Sequence, residues 1–136
     1  MDFVKSLMTA ASGLRAQSGR MRVIAENIAN ADSTARTPGG DPYRRQIPTF
    51  EVKFDREAQT NVVTLGRIRP DMSDFTLRHE PGHPAADENG YVKEPNVNTL
   101  VESMDMREAQ RSYEANLNVV GATRRMIART LDILRA

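Results

Sequence analysis

The two ends of this chain carry long apolar stripes with helical spacing, and the residues between them hold all seven prolines. The N-terminal stripe recurs in alternating steps of four and three, and it consists of Phe3, Leu7, Ala10, Leu14, Gln17, Met21, Ile24, Ile28 and Ala31. The C-terminal stripe has similar steps and consists of Met106, Ala109, Tyr113, Leu117, Val120, Ile127, Leu131 and Leu134. Such spacing, about 3.5 residues on average, is that of a coiled-coil seam. Ends of this kind are more typical of an assembly subunit than of a catalyst.

Residues typical of helix ends flank both stripes. We predict one helix over residues 2–30, which ends near Asn30 and before Pro38. A second helix is predicted over residues 97–135, with Asn98 as its N-cap. Both predictions leave the prolines outside the helices.

Two glycines lie inside the predicted N-terminal helix. Gly13 and Gly19 each cost about 1 kcal/mol relative to alanine in a helix. We therefore predict that a neighbouring helix approaches closely at these positions. The alternative is that both glycines are simply tolerated.

The middle of the chain has strand signals. Phe50, Val52 and Phe54 alternate with Glu51 and Lys53, which is typical of a half-buried strand. Further strands are expected over residues 61–68, 74–78 and 91–92, and a turn over residues 87–90.

These patterns together predict a mainly α protein with a small β-rich middle. Long N- and C-terminal helices form a coiled coil, and a Pro-rich loop and short strands lie between them. The corresponding segments are residues 1–33, 34–96 and 97–136.

Composition excludes several classes of protein. A net charge of +1 gives no strong field toward nucleic acid, and the absence of cysteine excludes disulfides and thiolate metal sites. No apolar run approaches the ~20 residues of a membrane span. Arg15, Arg20 and Arg22 interrupt the N-terminal apolar residues, so this end is not typical of a secretory signal. If the protein leaves the cytoplasm, we expect transport without a cleaved signal peptide.

One motif suggests a metalloprotease. His79-Glu80-Pro81-Gly82-His83 fits the pattern HExxH, in which two histidines on one helix face bind zinc and the glutamate is the general base. Pro81 obstructs the helix that this chemistry needs. We therefore predict a proline-bent loop, no enzyme activity, no metal and no cofactor.

Three sets of residues carry a family resemblance. The stretch Met8–Ser33, with the core Glu26-Asn27-Ile28-Ala29-Asn30-Ala31, resembles the N-terminal signature of flagellar rod and hook proteins. The stretch Asn98–Asn116 resembles the C-terminal motif of the same superfamily. The middle resembles the proximal rod proteins of the flagellar basal-body rod family, through Thr37–Gly40, Pro42–Arg45, Glu80–Pro84, Ala86-Asp87, Gly90–Val92 and Pro95–Val97.

The resemblance implies a structural subunit of the proximal rod, the part of the flagellar driveshaft that transmits torque across the periplasm. It implies other rod subunits and copies of this chain as partners in a helical tube, and export through the flagellar type III apparatus. The terminal helices would form the inner coiled-coil layer. The alternative is a helical adaptor or export chaperone that forms a small complex of fixed size.

The stripes and the resemblance together predict an assembly interface. Its residues are Phe3, Leu7, Leu14, Met21, Ile24, Asn27, Ile28, Asn30, Met106, Tyr113, Asn116, Leu117, Val120, Ile127, Leu131 and Leu134. The amides of Asn27 and Asn30 are expected to bind terminal helix carbonyls or an adjacent loop. Arg44 and Arg45, beside Tyr43, either bind an acidic neighbour or are solvated.

Overall fold

A computed structural model describes residues 2–136 of the chain. Helix α1 spans Phe3–Ala29 and helix α2 spans Thr99–Arg135, which at 1.5 Å per residue are about 40 and 55 Å long. Short strands occupy part of the sequence between them. The predicted terminal helices with a β-containing middle are therefore confirmed.

Side-chain caps fix where both helices begin. Asp2 Oδ1 accepts hydrogen bonds from the backbone N–H groups of Val4 and Lys5, at 3.1 and 3.2 Å. Asn98 Oδ1 accepts from the N–H groups of Leu100 and Val101, at 3.1 and 3.3 Å. The predicted cap at Asn98 is confirmed, and α2 begins directly after it because a cap residue lies outside the helix.

The strands form three antiparallel pairs. Strand β1 (Gln46–Ile47) pairs with β4 (Arg69–Pro70), β2 (Phe50–Asp55) with β3 (Thr60–Leu65), and β5 (Thr76–His79) with β6 (Tyr91–Glu94). The four predicted strands correspond to β2, β3, β5 and β6 with shifted ends. Strands β1 and β4 were not predicted, because two residues are too few to show a period.

The predicted turn before β6 is present. Asp87 Oδ1 accepts hydrogen bonds from the N–H groups of Asn89 and Tyr91, both at 2.9 Å. Gly90 has a φ of 80°, in the left-handed region that glycine adopts without steric cost.

The chain divides into two compact units. The first contains Met1–Met21, Thr49–Arg67 and Arg107–Ala136, and the second contains Arg22–Pro48 and Ile68–Met106. Each helix thus contributes one part to each unit, and each unit is described separately below.

In the first unit the two helices pack in antiparallel order. Gly13 faces Asn116, whose Nδ2 would lie 2.8 Å from a Cβ added to the glycine. Arg20 forms an ion pair with Glu108 at 3.2 Å. The prediction that Gly13 admits a neighbouring helix is confirmed.

The β2–β3 hairpin also belongs to the first unit, and its strand β3 lies against α1. Ser12 Oγ accepts a hydrogen bond from the Val63 N–H at 3.1 Å. A Cβ added to Gly19 would lie 2.9 Å from Leu65 Cδ2. Gly19 therefore admits a strand side chain, and the prediction that it faces a helix was wrong.

Among residues 2–136, strand β2 pairs only with β3, and Phe50–Phe54 are exposed on both faces of the strand. Its apolar side chains Phe50, Val52 and Phe54 are 43%, 69% and 58% exposed. The strand was predicted correctly, but the half-burial was wrong, because β3 makes the contact with α1 and leaves β2 outside.

Candidate assembly surfaces

The predicted interface residues lie on the two helices, with Asn30 directly after α1. Ile24 and Asn27 are buried within the chain, and Ile28, Leu117, Leu131 and Leu134 are exposed. The other members are half-buried: Phe3, Leu7, Leu14, Met21, Asn30, Met106, Tyr113, Asn116, Val120 and Ile127.

The last part of α2 extends beyond the start of α1. In the first unit Gly13 faces Asn116 and Arg20 pairs with Glu108. Both helices rise by the same distance per residue. The same antiparallel register therefore places Phe3, the first residue of α1, opposite Met126 on α2. Residues 127–135, here called the α2 tail, have no residue of α1 opposite them.

The α2 tail exposes several large apolar side chains. Leu131, Ile133 and Leu134 are 51%, 75% and 77% exposed, and Ile127 is half-buried. The helix would not be expected to expose such large aliphatic side chains unless another molecule covered them.

Large apolar side chains outside the predicted interface are exposed as well. They include Val4 and Val52 in the first unit and Met72, Leu100 and Met104 in the second. Sequence analysis missed Leu100 and Met104 because they fall outside the C-terminal stripe.

In the second unit the Asn27 side chain binds the backbone of a distant residue. Its Nδ2 donates to the Gln46 carbonyl at 2.8 Å, and its Oδ1 accepts from the Gln46 N–H at 2.9 Å. The Tyr43 hydroxyl donates to the same Oδ1 at 2.8 Å, and Nδ2 also donates to Glu102 Oε2 at 3.2 Å. Asn27 therefore binds the backbone of strand β1 and the Tyr43 hydroxyl of the loop before that strand. Of the two predicted roles, contact with a loop is the one observed, and it is made through Tyr43.

Arg45 neutralises the carboxylate of Glu102, a residue that is 1% exposed. The guanidinium bonds Glu102 through Nε and also pairs with Asp71 at 3.4 Å and Asp105 at 3.8 Å. Arg45 thus binds acidic neighbours of its own chain. We call Asn27, Tyr43, Arg45, Gln46 and Glu102 the Asn27–Glu102 cluster.

Burial and charge shift two pKa values in this cluster. Burial raises the pKa of Tyr43, and the negative charges of Glu26 and Glu102 raise it further. Burial alone lowers the pKa of Arg45, but its bonds to Glu102 and Asp71 outweigh that effect and raise it. Both groups therefore keep their protonated forms at neutral pH.

Two further side chains hold the segment around Arg45, directly before strand β1. The Arg45 N–H donates to Asn96 Oδ1 at 2.8 Å, and Asn96 Nδ2 donates to the Asp71 carbonyl at 2.9 Å. Arg44 donates to the carbonyls of Asp71 and Ser73 and lies 4.2 Å above the ring of Phe75.

Sequence analysis missed the pairing of Glu102 with Arg45. The sequence places Glu102 near the start of a helix, where an anion is favourable for other reasons. Its partners Asn27 and Arg45 lie 75 and 57 residues away along the chain, and no local spacing indicates such a contact.

Asn30 directly follows α1, and its side chain binds the C-terminal end of that helix. Its Nδ2 donates to the Glu26 carbonyl at 2.8 Å, a carbonyl in the last turn of the helix that also accepts the Asn30 N–H at 3.1 Å. The predicted role of the Asn30 amide is confirmed.

The carboxyl group of Asp71 makes the stability of the fold depend on pH in the acid range. Its pKa is lowered from 3.8 by hydrogen bonds from the backbone and side chain of Ser73, and further by Arg45. A carboxyl whose folded pKa is depressed stabilises the fold above its unfolded pKa, and that contribution is lost as the pH falls through the folded pKa. We expect Asp71→Asn to lose stability at pH 7 but to show a flatter stability profile below about pH 4.

Urea unfolding at several pH values between 2 and 7 checks this expectation. Asp74→Asn, at a neighbouring exposed carboxyl, is the control and should keep the slope of the unsubstituted protein. An acid slope that Asp71→Asn leaves unchanged would contradict the assignment.

The HExxH segment does not form a helix. His79 ends strand β5, and His83 lies in the following turn, where its Nδ1 accepts from the Ala85 N–H at 3.0 Å. The two histidines therefore do not share a helix face. Within residues 2–136 no group of three or more His, Asp or Glu side chains is placed to hold a metal ion.

The same described residues contain no helix that is long and apolar enough to cross a bilayer.

Two family profiles match the ends of the chain. The family described as "Flagella basal body rod protein" matches residues 7–36, and the family described as "Flagellar basal body rod FlgEFG protein C-terminal" matches residues 88–133. These ranges contain most of α1 and most of α2.

Relatives with curated names match along nearly the whole chain. A flagellar basal-body rod protein FlgC from Agrobacterium fabrum is 52% identical and covers 93% of this chain and 91% of its own length. The Salmonella typhimurium protein of that name is 40% identical over 91% of this chain and 92% of its own length. The Borreliella burgdorferi protein is 38% identical over 99% of both chains. The chain therefore belongs to the FlgC family of flagellar basal-body rod proteins.

Proposed function

We propose that this chain is a structural, non-enzymatic subunit of the proximal rod of the bacterial flagellum, where it transmits torque through packed terminal helices. Membership of the FlgC family supports the role in the rod. The observation that carries the packing mechanism is the uncovered α2 tail, with Leu131 and Leu134 largely exposed. In a torque-bearing rod those side chains have a partner to pack against.

The terminal helices are proposed to form a coiled coil with neighbouring subunits. The alternating steps of four and three support this, because they keep one seam facing a partner helix. The exposed members of the predicted interface, Ile28, Leu117, Leu131 and Leu134, are the proposed first contacts. The half-buried members are proposed to complete the seam around them.

The three sequence segments are proposed to differ in role. Residues 1–33 and 97–136 supply the inner helices, and residues 34–96 contact neighbouring rod subunits through the loop and short strands. Exposed Phe50, Val52 and Phe54 support such contacts, since a strand with uncovered apolar side chains tends to pair or pack with another chain.

The proposed partners are other rod proteins and copies of this chain in a helical tube. Contacts between different surfaces of successive copies repeat without closing, which suits a tube better than a dimer. Delivery by the flagellar type III export apparatus and a position in the periplasm complete the proposal. The names of the relatives favour this reading over a helical adaptor or export chaperone.

Polar substitution in the α2 tail tests the proposal. We expect Leu131→Gln/Leu134→Gln to abolish assembly while the free energy of unfolding of the monomer changes by less than about 1 kcal/mol. Both side chains are largely exposed, glutamine is a good helix former, and exposed positions away from special features tolerate substitution. Sedimentation velocity at rising concentration, alone and with other rod proteins, measures assembly, and a circular dichroism melt measures stability.

Thr130→Gln is the matched control, because it changes an exposed polar residue of the same tail that carries no charge. It should assemble like the unsubstituted chain. A doubly substituted tail that still assembles normally would show that these side chains are not needed for packing.

A further inference from the structure

The first unit contains a groove that the described residues, 2–136, leave unfilled. It lies between α1 and the β2–β3 hairpin and has a volume of about 420 Å³. Met8 and Ala16 of α1 and Val62 and Leu65 of β3 supply its apolar lining. We call it the α1–β3 groove.

The α1–β3 groove also has charged and polar members. Arg15 on α1 and Asp55 on β2 are part of its lining. The Oγ1 of Thr64, another lining residue, is buried and has no hydrogen-bond partner among the described residues. An apolar lining with a few polar groups is the usual composition of a recognition groove.

The chain's own α2 tail does not occupy this groove. The antiparallel register places residues 127–135 beyond the start of α1, whereas Met8 and Ala16 lie within it. Leu131, Ile133 and Leu134 are 51%, 75% and 77% exposed, so residues 2–136 leave at least half of the surface of each of these residues open. One chain therefore carries both an unfilled apolar groove and an uncovered apolar helix end.

We propose that the α1–β3 groove of one copy binds the α2 tail of a second copy. This inference rests on the proposed function and names the partner of the tail within it. An amphipathic helix that lays apolar side chains into a groove is a common mode of recognition, with anchors at helical spacing. Ile127, Leu131 and Leu134 have that spacing.

The charges of the α1–β3 groove and of the α2 tail also favour binding between them. The α2 tail and the turn before it carry Arg124, Arg125, Arg129 and Arg135 against the single carboxylate of Asp132. The groove offers a carboxylate at Asp55 and a cation at Arg15. A bound tail can therefore pair an arginine with Asp55 and Asp132 with Arg15.

The proposed contact is heterologous. The groove and the tail are different surfaces, so each copy can bind one neighbour with its tail and another with its groove. Such contacts repeat along a filament unless the rotation between copies closes a ring. The contact is small, so we expect it to be weak for a pair and cumulative in a tube.

Disulfide trapping tests the proposal directly, because the chain contains no cysteine. Copies with Met8→Cys or Val62→Cys in the groove are mixed with size-tagged copies carrying Leu134→Cys in the tail, under mild oxidation. A disulfide forms when the two Cα atoms come within about 7 Å. We expect at least one groove position to give about tenfold more mixed disulfide than the control pair.

The control pairs Leu134→Cys with Met72→Cys. Met72 and Leu134 are 75% and 77% exposed, so random collision would oxidise the control as readily as the groove pairs. Circular dichroism melts of each variant establish that it is folded before mixing.

The possible results separate this inference from the proposed function. Groove pairs that cross-link no better than the control, in a chain that still assembles with itself or with other rod proteins, would overturn the groove assignment alone. A tail that cross-links to a different rod protein in preference to a second copy would also overturn it. A chain that assembles with no rod protein at any concentration would overturn the proposed function itself.

Discussion

Replacing Arg45 with methionine should lower the free energy of unfolding by about 3–5 kcal/mol, the usual effect of removing one partner of a buried ion pair. The change leaves the carboxylate of Glu102, which is 1% exposed, without its main counter-charge. Asp71 and Asp105 lose the same cation. Urea unfolding at pH 7, followed by circular dichroism, measures the loss.

Arg107→Met is the matched control for this prediction. Arg107 is exposed on α2, and substitution at such a position usually changes stability by less than about 0.5 kcal/mol. If the two substitutions cost the same, the ion pair is not what stabilises the second unit.

The double variant Arg45→Met/Glu102→Leu tests whether the loss in Arg45→Met comes from leaving the buried Glu102 carboxylate unpaired. Replacing both members of a buried pair with apolar residues of similar size is often neutral or stabilising. We therefore expect the double variant to recover most of the stability that Arg45→Met loses. The recovery should be incomplete, because Asn27 Nδ2 loses its bond to Glu102 and Asp71 and Asp105 remain without Arg45.

Replacing Asn27 with leucine should cost about 2–4 kcal/mol, since each buried polar group left unpaired costs about 1–3 kcal/mol. The substitution removes the partner of the Gln46 N–H and of the Gln46 carbonyl, and also the acceptor of the Tyr43 hydroxyl. Leucine has a similar size, so the loss is mainly one of hydrogen bonding. Thermal and urea unfolding measure it, and amide hydrogen exchange at Gln46 should show loss of protection.

Asn30→Leu is the matched control, three residues along the same family signature. Asn30 makes one side-chain bond to the Glu26 carbonyl at the end of α1, and it is half-buried, so water can replace part of that bond. We expect a cost of about 0.5–1.5 kcal/mol, the net value of one hydrogen bond. Equal costs at Asn27 and Asn30 would contradict the special role given to Asn27.

The helices were predictable because their signals are local. The apolar stripe from Phe3 to Ile28 and the cap at Asn98 each depend on neighbours within a few residues. The same is true of the turn at Asp87–Gly90. Strand β2 was predictable from its alternation, but its exposure was not, since burial depends on which strand contacts α1.

The contacts within the Asn27–Glu102 cluster could not be predicted from local sequence signals. Asn27 stood out through the family resemblance, and contact with a loop was one of its two expected roles. The sequence did not identify the backbone of Gln46, in strand β1, as its partner. Arg45 was recognised as a candidate for an acidic partner, but the only local signal at Glu102 is its position near the start of a helix. Their contact joins residues 57 apart in sequence.

Local signals in the sequence predict the two helices and four of the six strands, because apolar period, capping and turn chemistry act over a few residues. The family was recognised separately, from the motifs that resemble those of flagellar rod proteins. Which apolar side chains remain exposed and which charged side chains form ion pairs is known only from the folded chain. Burial and ion pairing depend on residues far apart in the chain, and their positions follow only from how the helices and hairpin pack. The exposed α2 tail and the buried Glu102 carboxylate are both consequences of that packing.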